Sequence, residues 1–181
     1  MKHFLCKALA LGTLLVALTL LSLPSAKAVY AAINPLSCTM GTSTSIYNPG
    51  ITNKPQTSHI KVSEDYDYCT VAGLPSLTSG SVSFTSTQTV KCLAQVNTPT
   101  VGLVTYTWNT GQSSTVNFTA TTVAYLVGGT VQVTSTGPVT AGFDAGAQAV
   151  RVKILPQLDP TQCSSEDGVT ETRGFATMTF G

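Results

Sequence analysis

From residue 37 onward the chain repeats one pattern: short runs in which β-branched and aromatic residues alternate with Thr, Ser and other polar residues, each run closed by Gly, Pro or Asn. A period of two sends successive side chains to opposite faces of a strand, and no segment keeps the period of 3.6 that a helix requires. Residues 80–95 place Val82, Phe84, Val90 and Cys92 on one parity and Ser81, Ser83, Thr85, Thr87 and Thr89 on the other. Residues 103–108 lead through Asn109-Thr110-Gly111-Gln112 into residues 113–126, where Val116, Phe118, Ala120, Ala124 and Leu126 share parity, so a hairpin with a Gly-containing turn is expected. Gly128-Gly129 turns the chain into residues 130–136, with Val131 and Val133 on one face and Gly137-Pro138 ending the strand. Residues 148–155 put Val150, Val152 and Ile154 inward and Arg151 and Lys153 outward, and residues 169–180 close the chain with Ala176, Met178 and Phe180 on one parity. With earlier strands near 44–47 and 58–68 the count is about eight, and this spacing predicts an all-β, antiparallel two-sheet sandwich, Ig-like or jelly-roll-like.

The amino terminus carries a different signal. Lys2 and Lys7 precede an uncharged apolar run over residues 8–23, followed by Pro24 and the small-x-small site Ser25-Ala26-Lys27-Ala28. This is the layout of a secretory signal peptide cleaved after Ala28, and the run is shorter than the roughly 20 residues a membrane span needs. The expected organisation is a signal peptide over 1–28 and one domain over 29–181, with no membrane span after cleavage and a secreted, periplasmic or cell-surface location. Cys6 falls in the charged start and leaves with the signal.

Only 9% of the chain is charged, against roughly 25% in ordinary soluble domains. The mature part keeps six basic and eight acidic residues, but 28 Thr and 15 Ser. Hydroxyls replace charges on the solvent-facing side of the strands, and the near-neutral balance argues against nucleic acid as a partner. Four mature cysteines remain, Cys38, Cys69, Cys92 and Cys163, an even number that reads as two disulfides in an oxidising compartment. Their spacing holds no CxxC or Cys-His pairing, so a zinc site is not expected. Of the three connectivities, placement favours Cys38 with Cys92 at strand positions and Cys69 with Cys163 in long loops.

Catalytic chemistry finds little footing. The mature chain has a single histidine, His59, whose parity is opposite to Ile60 and Val62 and so faces solvent. Ser76, in Gly73-Leu74-Pro75-Ser76-Leu77, lacks the second glycine of a nucleophile elbow. Glu64, Asp65 and Asp67 lie close together, but alternation separates Glu64 from the two aspartates; the segment reads as a solvated strand end and matches no calcium loop. No catalytic residue, metal site or cofactor is expected. Tyr106 and Trp108 share parity on one strand and are the candidate stacking surface for a sugar ring, with Tyr125 on a partner strand.

The motifs Tyr47-Asn48-Pro49-Gly50-Ile51-Thr52-Asn53-Lys54-Pro55, Tyr68-Cys69, Thr78-Ser79-Gly80 and Trp108-Asn109-Thr110-Gly111-Gln112-Ser113-Ser114, with the stretch 137–146, resemble those of small secreted bacterial Thr-rich β-sandwich proteins of unknown function. The resemblance implies an exported β-sandwich and carries over no catalytic residue. A second likeness is to pilin and spore-coat-type subunits, which are also Thr-rich and disulfide-bearing and assemble by strand donation. The chain departs from them in having only nine residues between the expected cleavage site and Cys38, and in ending Phe180-Gly181. The expected function is that of a non-enzymatic protein acting by binding or structure, whose partner is another protein or a glycan; the alternatives are a surface-fibre subunit and a carbohydrate-binding module.

Overall fold

The computed structural model describes residues 35–92 and 102–181. The expected signal peptide, its cleavage site and Cys6 lie outside the described residues. Among the described residues nine strands follow one another: β1 (Leu36–Ile51), β2 (Gln56–Val71), β3 (Gly80–Val90), β4 (Gly102–Trp108), β5 (Ser113–Phe118), β6 (Ala120–Leu126), β7 (Thr130–Gly142), β8 (Gln148–Pro156) and β9 (Val169–Phe180). A single helical turn, α1 (Pro160–Cys163), precedes β9, its amino end capped by the Asp159 carboxylate accepting from the Thr161 amide at 2.8 Å.

The all-β expectation holds, and the two-sheet sandwich is corrected. Strands pair antiparallel in the order β5-β4-β3-β2-β1-β9-β8-β7-β6, and a further pairing of β5 with β7 closes the ring. The result is an eight-stranded up-and-down barrel in which the fifth stave is broken at Thr119 into β5 and β6. Two open sheets would leave four edges to be managed, whereas closure removes them.

That break also corrects two expected details. Beyond Phe118 the parity of residues 113–126 does not continue, and Thr121 and Val123, not Ala120, Ala124 and Leu126, turn toward the interior. Gly137-Pro138 does not end its strand; it is where β7 exchanges partners, pairing with β6 through Thr136 and with β5 from Val139. Glycine is required there because the Asn117 carbonyl occupies the space a Cβ would take.

The cysteine connectivity differs from expectation as well. Cys38 bonds Cys69 and Cys92 bonds Cys163. Cys38 and Cys69 are direct cross-strand partners in the β1–β2 register, because β2 runs on to Val71 and leaves Cys69 in a strand, not in a loop. The second bond ties the end of β3 to α1. Two formed disulfides fit an oxidising compartment, and among the described residues no helix is long and apolar enough to cross a membrane.

The interior divides into two apolar clusters. One, built from Tyr66, Tyr106, Trp108, Phe118, Met178 and Phe180 with smaller neighbours, fills one end of the barrel. The other gathers Tyr47, Ile51, Ile60, Val62, Val90 and Val169 around the Cys92–Cys163 bond. Charged residues lie buried inside the same barrel.

Candidate functional site

On β2 the inward parity is Ile60, Val62, Glu64 and Tyr66, and on β8 it is Ala149, Arg151 and Lys153. The expected outward placement of Arg151 and Lys153 is therefore reversed: both point into the barrel, and Val150, Val152 and Ile154 lie half-buried on its outer side. Glu64 is likewise fully buried, not part of a solvated strand end, while Asp65 and Asp67 stay exposed. The ladder explains the reversal. Arg151 sits opposite Ser135 and Met178, and Lys153 opposite Val133 and Ala176, all inward positions on β7 and β9.

These groups form one buried polar cluster. Glu64 Oε1 lies 3.4 Å from Arg151 Nη1 and 3.6 Å from Lys153 Nζ. Its second oxygen, Oε2, accepts the Tyr66 hydroxyl at 2.7 Å. Arg151 also donates to Ser135 Oγ at 3.3 Å and to the Tyr106 hydroxyl at 3.5 Å, and its guanidinium carbon stands 4.4 Å from the centre of the Phe118 ring.

Burial alone would raise the Glu64 carboxyl, but Arg151, Lys153 and the Tyr66 hydroxyl together bring it below the ordinary carboxylate value. Burial pushes the Tyr66 and Tyr106 hydroxyls upward, with Glu64 adding to both. Lys153 is brought down to about 8, first by burial and then by the Arg151 charge, with Glu64 opposing.

Beside this cluster the lumen opens into a cavity of about 390 Å³, within the roughly 300–1,000 Å³ of small-molecule sites. Its walls are mainly apolar, with Ile60, Val62, Phe84, Val131, Val133 and Leu155 among them. Hydroxyl and amide groups of Ser45, Tyr47, Ser86 and Gln88 are interspersed. Lys153 is the one charged side chain among the described residues that line it; Arg151 and Glu64 lie behind. Among the described residues β3 and β4 pair at Gly80–Trp108 and Ser81–Thr107 and then diverge, with Phe84 to Val90 lining the cavity on one side and Gly102 to Val104 on the other. At the rim Leu103 and Tyr125 are exposed, at 69% and 63%.

The other residues singled out from sequence lie elsewhere. Tyr106 and Trp108 are not displayed on an open face: they are 0% and 2% exposed, within 6.2 Å of each other in the aromatic end of the core. Trp108 Nε1 donates to Ser114 Oγ at 2.9 Å and the ring meets Phe180 edge-on. A buried pair offers no platform for a sugar ring. Tyr125 is separate from them, at the cavity rim. His59 is exposed as expected, its Nδ1 2.9 Å from the Thr87 hydroxyl.

The residue pattern does not announce this cluster, although one signal points to it. Glu64 shares the parity of Ile60, Val62 and Tyr66, so a carboxylate stands in the middle of an inward apolar set. Together the fold and the site define a closed antiparallel barrel with a lumen cavity and a charged group in its wall. Comparison of the chain with protein-family models, curated proteins and solved structures returns no match.

Proposed function

We propose that the protein is an exported, disulfide-bonded barrel that works by holding a small, largely apolar molecule in its lumen. The observation that carries this reading is the cavity itself. Eight-stranded barrels are just wide enough either to be filled by side chains or to hold one small ligand. Here one end is packed with aromatic rings, while the other is lined mainly by aliphatic and hydroxyl-bearing side chains, with Tyr47, Phe84 and Tyr125 among them, around about 390 Å³. The apolar rim at Leu103 and Tyr125 supports access from solvent. Export is supported by the leader-like residues 1–28 and the two disulfides. Amino-terminal sequencing of the exported protein beginning at Val29 would establish the cleavage.

The test is titration of the purified exported protein with a solvatochromic apolar dye, in the wild type and in Val133→Phe and Val131→Phe, which project a ring into the cavity. Saturable one-to-one binding that both variants abolish, with the near-UV dichroism of the fold retained, supports the reading. Absence of saturable binding, or binding that neither variant changes, overturns it. The alternative of a surface-fibre subunit is separated by size-exclusion chromatography, where ladders would favour assembly and a monomer would favour the lumen.

A further inference from the structure

The polar cluster carries an imbalance. Two cations, Arg151 and Lys153, share a single carboxylate, Glu64, and all three side chains are buried. An uncompensated charge in a low-dielectric interior is costly, and proteins tolerate it where a partner of opposite sign completes the site. Glu64 has little left to offer, since both cations address the same oxygen at 3.4 and 3.6 Å and the other oxygen is taken by Tyr66. Arg151 Nε finds no acceptor among the described residues. The acceptor deficit is thus a property of the whole cluster, and Lys153 is the member that lines the cavity, while Arg151 is enclosed by Phe118, Tyr106 and Ser135.

Resting on the lumen-binding reading, we propose that the molecule held there is a single-chain amphiphile with a carboxylate head group: the carboxylate pairs with Lys153 Nζ and the alkyl chain lies among Val62, Phe84, Val131, Val133 and Leu155. The carboxylate brings the buried charges to two of each sign. Arg151 does not touch the ligand; it shares Glu64 Oε1 with Lys153, at 3.4 Å against 3.6 Å, and so leaves the ammonium only partly compensated. The mainly apolar walls suit an alkyl chain, and the rim residues Leu103 and Tyr125 give the chain an apolar path inward.

The experiment compares dodecanoate with dodecanol by isothermal titration calorimetry, on the purified exported wild type, Lys153→Met and Val133→Phe. A charge-assisted contact in a dry site predicts that the wild type binds dodecanoate at least about ten-fold more tightly than dodecanol. In Lys153→Met that preference collapses to about one, and in Val133→Phe both ligands are lost. A second measurement needs no variant: the wild-type preference shrinks between about pH 6.5 and about pH 9, as Lys153, brought to about 8, loses its proton. The charged and titratable groups near it are Arg151 on β8, Glu64 and Tyr66 on β2 and Tyr106 on β4, with Tyr47 on β1 and Tyr125 on β6 lining the same cavity. Of these, Tyr66 and Tyr106 are raised and Glu64 is lowered, so none of the three titrates in that range. Equal binding of the two ligands by the wild type, or a preference that survives in Lys153→Met, overturns the head-group assignment and leaves the lumen reading standing. Failure of both ligands to bind the wild type overturns both.

Discussion

Lys153 is a residue the fold would be more stable without, and that follows from its surroundings. Its ammonium is held at about 8 against an ordinary 10.5. A pKa difference between folded and unfolded chains is worth about 1.4 kcal/mol per pH unit, so the folded environment disfavours the charged form by about 3 kcal/mol. Below about pH 8 the lysine is charged in both folded and unfolded chains, so the whole penalty is present. As pH rises from about 8 toward 10.5 the unfolded chain binds the proton more tightly than the folded one, and stability rises. Between about pH 7 and about pH 9.5 the increase from this group is about 2 kcal/mol. Lys153→Met keeps the length of the side chain, removes the ammonium and leaves Glu64 and Arg151 as a matched pair. It is expected to be more stable than the wild type by about 1–3 kcal/mol at pH 7. The advantage narrows by about 2 kcal/mol at pH 9.5. Glu64 titrates below this range and Tyr66 and Tyr106 above it, so the difference between the two proteins isolates Lys153. Guanidinium unfolding at the two pH values, with disulfides intact, measures it. A Lys153→Met protein less stable than wild type at pH 7, with an undiminished rise toward pH 9.5, would mean that the buried ammonium does not destabilise the fold.

Glu64→Gln makes the opposite change, leaving two buried cations without their carboxylate, and should cost about 3–5 kcal/mol at pH 7 in the same unfolding assay. Because the folded Glu64 carboxyl is lowered, its stabilising share is present above about pH 4.5 and is lost as pH falls through the depressed value; the acid unfolding profile of Glu64→Gln should lack that component. A Cβ on Gly80 would overlap the Trp108 ring, so Gly80→Ala should lose about 1–3 kcal/mol and shift the emission of the single tryptophan. Removing the Cys92–Cys163 bond by the double serine variant should cost about 4 kcal/mol, from a loop spanning 71 residues of separation, and weaken binding in the lumen because both cysteines line it.

The strand pattern is legible in the sequence because period-two alternation reports directly on the backbone. The hairpin turn at 109–112, the turn at Gly128-Gly129, the inward Val82, Phe84, Val116, Phe118, Val131 and Val133, and the closing set Ala176, Met178 and Phe180 stand where alternation puts them, whereas residues 120–126 do not. Closure is not legible, because it rests on the non-local β5–β7 pairing and on the break at Thr119, and no local signal marks either. The site escapes for a related reason. Alternation says that Arg151 and Lys153 lie on one face and Val150, Val152 and Ile154 on the other, but not which face is inside; a one-residue change of register exchanges them. Hydropathy favours the valines, and the register with Val133 and Ala176 selects the cations. The disulfide pairing differs from expectation because strand β2 is longer than its apolar run suggests, which carries Cys69 into register with Cys38.

The most direct test of a lumen that holds a carboxylate amphiphile is nuclear magnetic resonance of the exported protein with carboxyl-labelled dodecanoate. Intermolecular Overhauser contacts are expected from the chain methylenes to the methyl groups of Val62, Val133 and Leu155, with a carboxyl resonance that changes when Lys153 is replaced by Met. Contacts confined to the exposed Leu126 and Val127, with a carboxyl resonance indifferent to Lys153, would contradict it.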